Sequence, residues 1–207
     1  MGIIFSIFIS MILAMPSFAQ QSKPNALVKG NLTMERFTGA PMKISLDYGI
    51  ELNKGSSLNR EGFVIRDTSA PITLIGEPTP KVEFLRAKSS STSDYFYTIY
   101  CTVNATEPIV AYQLRSIVIN IFGKAIKTLE ATMVRDVSDR HQDDLKWKIW
   151  SENEASEAFA FITYISKART VSGKVYEIDQ KTILELAARV GSKLTDSDLE
   201  PKREITR

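Results

Sequence analysis

His141 stands among Asp136, Asp139, Asp143 and Asp144, and carboxylates grouped in this way can supply oxygen ligands to a hard cation. Asp139, His141 and Asp143 are the candidate ligands. Their spacing matches no EF-hand loop, and no glycine provides the sharp turn such a loop needs, so a solvated, charged hairpin loop accounts for the same residues. Cys101, the only cysteine, can act as a nucleophile or as a dimer-forming thiol. A catalytic thiolate needs a histidine base, and His141 lies in a separate loop, so the expectation is a buried, inert thiol on an apolar strand face. Glu152, Glu154 and Glu157 are the residue type that glycan hydrolysis uses as acid and base, but nothing fixes their separation and they read as a solvated acidic loop. Lys146, Lys148 and Trp150 form a candidate outward patch for a sugar or peptide, with Trp150 as a flat contact surface. The competing reading buries Trp147 in the core and Trp150 under a neighbouring segment.

No Gly-x-Ser-x-Gly elbow, His-Glu-x-x-His helix, phosphate-binding glycine loop or zinc cysteine pair occurs, and no cofactor is expected. A single histidine also weakens most hydrolase and metal schemes.

The elements that position these residues read as strands. From Pro108 to Trp150, β-branched and aromatic residues dominate while Gly, Asp and Ser fall between the runs. Along residues 109–122 the apolar phase reverses: Val110, Tyr112 and Leu114 share one face, whereas Ile117, Ile119 and Ile121 share the other. One uninterrupted strand cannot keep both sets on one side, so a bulge or change of sheet is expected near Arg115-Ser116, the alternative being a strand buried on both faces.

Upstream, residues 63–67 and 72–75 read as short strands, Gly76 to Pro80 as a turn, and residues 82–86 and 94–104 as a hairpin across a serine-rich loop. In the second hairpin strand Tyr97, Ile99, Cys101 and Val103 share a face. Residues 158–165 are apolar on both faces, as in a central strand. Residues 174–178 form a last strand. Ile183, Leu184, Leu186, Ala187 and Val190 then fall on one helical stripe, with Asp179 able to cap the start and Gly191 the end.

The chain has 207 residues, enough for one domain with a sizeable core. A net charge of +2 offers no concentrated basic surface for nucleic acid. Residues 1–19 read as a secretory signal, since the apolar run is short for a membrane span and Ser17-Phe18-Ala19 suits cleavage; a retained anchor is the alternative. With one cysteine and no disulfide, an exported chain fits a bacterial source.

Ser116-Ile117-Val118-Ile119-Asn120-Ile121-Phe122-Gly123-Lys124, taken with Trp147 and the strands between Tyr164 and Tyr176, resembles the immunoglobulin-like FxLYD-type domains of exported bacterial proteins. Over about half the chain, the resemblance implies an immunoglobulin-like fold and assigns no catalytic residue. Asn120 stands where that pattern more often has Asp.

The expected fold is mainly β: an immunoglobulin-like antiparallel β-sandwich with a C-terminal α-helix. The signal peptide occupies 1–19, an N-terminal arm or linker with one or two strands 20–61, the sandwich 62–178, and the helix and tail 179–207. The expected role is an exported, non-enzymatic binding or structural module, secreted or periplasmic. It would engage an envelope protein or polymer through a sheet face or strand edge, without nucleic acid and without a membrane span once the signal is removed. The alternative is a cell-wall or glycan hydrolase using the loop carboxylates.

Overall fold

The computed structural model describes residues 26–38, 44–46, 51–52, 61–86, 93–149 and 157–201. The signal-peptide reading of residues 1–19 lies outside them. The strands are β1 (Ala26–Lys29), β2 (Leu32–Thr38), β3 (Ile44–Leu46), β4 (Glu51–Leu52), β5 (Glu61–Asp67), β6 (Ile72–Arg86), β7 (Ser93–Ala105), β8 (Ile109–Ile119), β9 (Ala125–Val137), β10 (Arg140–Ile149), β11 (Ala160–Thr170) and β12 (Val175–Glu177). Two helices follow, α1 (Gln180–Arg189) and α2 (Asp196–Leu199).

The chain folds as a β-sandwich with a C-terminal helix. One sheet runs β1-β2-β5-β11-β8-β9, with β12 also paired to β11; the other runs β10-β7-β6-β3-β4. Pairing is antiparallel except between β5 and β11 and between β3 and β6. The β6–β7 hairpin lies in the smaller sheet and the β8–β9 hairpin in the larger. β10 then returns beside β7, and β11 beside β8. The N-terminal arm contributes four strands rather than one or two, and β2 pairs with β5 along its whole length.

Two cores result. Between the sheets pack Ile72 and Leu74 of β6, Ile99 and Val103 of β7, and Tyr112 and Leu114 of β8. Phe161 of β11 meets Tyr97 of β7 edge to face across the same gap, with ring centres 6.2 Å apart. On the outer face of the larger sheet, Met34, Ile65, Ile117 and Ile162 pack under Ile183, Leu186 and Ala187 of α1 and Leu199 of α2. A ten-residue helix is marginal alone, so burial of Ile183 and Leu186, at about 1.5–3 kcal/mol each, is what holds α1. Asp179 caps α1 by accepting from the Lys181 amide, and Gly191 turns the chain after it at φ +80°.

This layering corrects the reading of β8. The strand pairs with β9 in unbroken register from Ala111 to Val118, so no bulge falls at Arg115-Ser116. Tyr112 and Leu114 face the other sheet throughout, while Ile117 and Ile119 face the helices. The apolar phase shifts because both faces are buried at this end of the strand. The bulge lies instead on β11, at Ser166, whose hydroxyl donates to the Gln113 carbonyl of β8 at 3.2 Å.

β6 is a second correction. It continues through Gly76 to Pro78, which form a register irregularity instead of a turn, with Gly76 at φ +65°.

Candidate functional site

The charged loop expected at Asp136–Asp144 is only Ser138-Asp139, because β9 runs to Val137 and β10 starts at Arg140. This short connection carries the chain from one sheet to the other. It leaves Asp139 and Asp144 exposed, while Asp143 points inward and is buried. Of the three candidate metal ligands, His141 and Asp143 come together, with Nε2 3.5 Å from Oδ1, but Asp139 does not join them. Among the described residues no three His, Cys, Asp or Glu side chains are grouped to hold a metal ion. Asp143 is served by protein groups instead. The Tyr112 hydroxyl donates to one carboxylate oxygen. Arg135 donates to the other at 2.8 Å, and its guanidinium also lies 2.6 Å from His141 Nε2.

The register does bring the cysteine and the histidine together, contrary to the expectation of a distant loop. Cys101 lies directly opposite Asp143, and His141 opposite Val103, one pair along the same face. The chemistry of a thiolate is nevertheless suppressed. Burial, reinforced by the nearby Asp143 carboxylate, pushes the Cys101 thiol up to about 12. Such a thiol is protonated at neutral pH and is a poor nucleophile. Burial and the bond to Asp143 raise Tyr112 likewise.

Against this cluster, the bulge of β6 walls an open hollow of about 480 Å³ on the smaller sheet, lined by Cys101 and Asp143 together with Glu77, Thr79, Tyr100 and Gln142. Lys146 and Lys148 project on the outer face of β10, where the Lys146 ammonium sits 4.8 Å from the centre of the Phe96 ring. Trp150, Glu152 and Glu154 lie outside the described residues, and Glu157 is exposed.

The sequence reading missed Arg115. Its side chain is buried on the face of β8 beneath the helices. It donates to Glu130 at 2.7 Å, to both carboxylate oxygens of Glu200 at 2.9 and 2.8 Å, and to the Leu199 carbonyl at 3.1 Å. Desolvation opposes the charge, but the Glu200 and Glu130 bonds outweigh it and raise the guanidinium's pKa. An arginine between Leu114 and Ile117 in a mostly apolar strand was the available signal. Its partners, far away in sequence, left none.

The other overlooked feature is the outer edge of β9, the last strand of its sheet. Thr128 donates to the Asp198 carbonyl and Glu130 reaches Arg115, so the first half of β9 lies beneath α2. Trp147 of the opposite sheet donates to the Glu130 carbonyl at 2.7 Å, which places that carbonyl on the side away from β8. In an antiparallel strand the amide and carbonyl of one residue point the same way, and alternate residues share that direction. Thr132 and Val134 therefore also turn their backbone groups to the open edge, and the Val134 side chain is 82% exposed. No family model matches this chain, and no curated protein or solved structure is significantly similar to it.

Proposed function

We propose that this chain is an exported, non-enzymatic interaction module of a bacterial envelope, and that it engages an extended segment of a partner protein along β9. The observation that carries this reading is the edge at Thr132–Val134, which no strand among the described residues pairs and where outward backbone groups lie beside an exposed valine. A strand pairing there would gain ladder hydrogen bonds, and Val134 would supply an apolar contact. Glu130 is already occupied by Trp147, and Arg135 is drawn inward to Asp143, so the free stretch is short and its register defined. The protonated state of Cys101 and the mutual pairing of Asp143, Arg135 and Tyr112 support a binding role over a hydrolytic one. Export rests on the composition of residues 1–19 and the single cysteine.

A photo-crosslinking residue at position 134, introduced in the producing cells, tests this. The expected result is one discrete adduct that disappears when Thr132 is replaced by proline, which removes an outward donor and leaves the β8 ladder intact. Absence of any adduct, or adducts indifferent to Thr132→Pro, would overturn the reading.

A further inference from the structure

The tip of the β8–β9 hairpin is built to present apolar side chains outward. Asn120 locks it: its side-chain carbonyl accepts from the amides of Phe122 and Lys124, both at 3.0 Å, and its backbone amide donates to the Lys124 carbonyl at 2.9 Å. The tip is fastened to the end of α1, where the Lys193 amide donates to the Gly123 carbonyl at 2.7 Å. Gly123, at φ +80°, lies so close to Gly191 that a Cβ would overlap its carbonyl oxygen. Ile121 is nevertheless 54% exposed and Phe122 77% exposed. A loop that only closed a hairpin would carry polar residues here.

Three cations stand on the backbone next to this pair. Lys124 is two residues past Phe122, Lys193 is hydrogen-bonded through its backbone to the tip, and Arg189 closes the last turn of α1; all three are exposed. The carboxylate that lines the adjoining cleft, Glu61, is engaged by Arg36. Exposed apolar side chains on a hydrogen-bonded tip, with Lys and Arg on the same turn and the adjoining helix end, match an interface of anionic headgroups above hydrocarbon, and they match no soluble acidic partner as well, because such a partner leaves the apolar pair wet.

We propose that the Asn120–Lys124 tip and the end of α1 form a peripheral docking surface for an anionic bilayer, with Ile121 and Phe122 inserting and Lys124, Lys193 and Arg189 contacting headgroups. This surface is independent of the β9 edge.

The test is co-sedimentation of the chain beginning at Gln20, which keeps every described strand and helix and lacks the apolar residues 1–19. The vesicles are phosphatidylcholine alone, or phosphatidylcholine and phosphatidylglycerol in equal parts. The chain should pellet with the anionic vesicles at low salt, bind neutral ones more weakly, and be released by added salt. Ile121→Ser with Phe122→Ser should lower partitioning by about tenfold or more. Lys124→Glu with Lys193→Glu should do the same on anionic vesicles only, which keeps the test decisive if the first variant folds poorly. Three results would each overturn the proposal: a wild-type chain left in the supernatant, a serine variant that pellets like wild type, and a wild-type dimer dissolved by Phe122→Ser, which would make a second copy the occupant.

Discussion

Two buried charges flank β8, one on each face, and they hold different layers. Arg115 lies beneath α2, Asp143 is reached from the opposite face by Tyr112, and each side chain is only 4% exposed. Both are closed by partners that water reaches, Glu200 at 54% exposure and Arg135 at 43%. The difference lies in what else holds the layer. α2 has four residues, of which only Leu199 is buried, so Arg115 is its main attachment beyond that side chain. The two sheets meet over a continuous apolar core, so the Tyr112–Asp143 bond orients a contact that hydrophobic burial already secures. A buried ionic group matters most where apolar area is scarce.

The largest expected effect follows from that contrast. Arg115→Met keeps much of the side-chain volume but strands Glu130 and Glu200 without their shared cation. Chemical denaturation should show a loss of about 3 kcal/mol, at the lower end for a broken buried pair because Glu200 can return to water. Amide exchange should accelerate first across residues 196–200. A variant within about 0.5 kcal/mol of wild type would mean that Leu199 and the Thr128–Asp198 bond hold α2 without Arg115.

Tyr112→Phe tests the other face. It removes the phenolic donor and leaves Asp143 to Arg135, at an expected cost of about 1–2 kcal/mol with no preferential loosening of β10. Should it prove more damaging than Arg115→Met, the contrast drawn between the two faces is inverted.

What the sequence disclosed follows the same division. The period-two faces of β7 and the two ends of α1 were readable, because each depends on neighbours within a few residues: Tyr97, Ile99 and Val103 in one case, Asp179 and Gly191 in the other. The β6–β7 hairpin and the central place of β11 were readable for the same reason. The doubly buried end of β8 was misread as a bulge, since periodicity reports which residues are apolar and not how many layers cover a strand. The polar staples were invisible. Arg115 and Glu200 are 85 positions apart, and Tyr112 and Asp143 are 31 apart. The proximity of Cys101 to His141 likewise depends on strand register, which only the assembled sheet fixes.

The smallest effect separates Glu200's charge from its bulk. The bond to Arg115, helped by Gln180 and only partly opposed by burial, holds the Glu200 carboxyl below its ordinary value of 4.5. The unfolded chain therefore binds this proton more readily than the folded one. The stabilisation is complete above the unfolded value and fades as pH falls through the lower, folded one. Glu200→Gln should cost no more than about 1 kcal/mol at neutral pH, because more than half of the side chain is in water. Asp179 is also lowered, chiefly by its bond to Thr182, and contributes to the same acid limb. The informative quantity is thus the stability difference between wild type and Glu200→Gln against pH, in which Asp179 cancels. That difference should be flat from neutral pH down to about 4.5, then shrink with further acidification, and be reduced throughout by added salt. A difference constant to the most acidic conditions would assign the effect to side-chain packing and would leave Arg115 balanced by Glu130 alone.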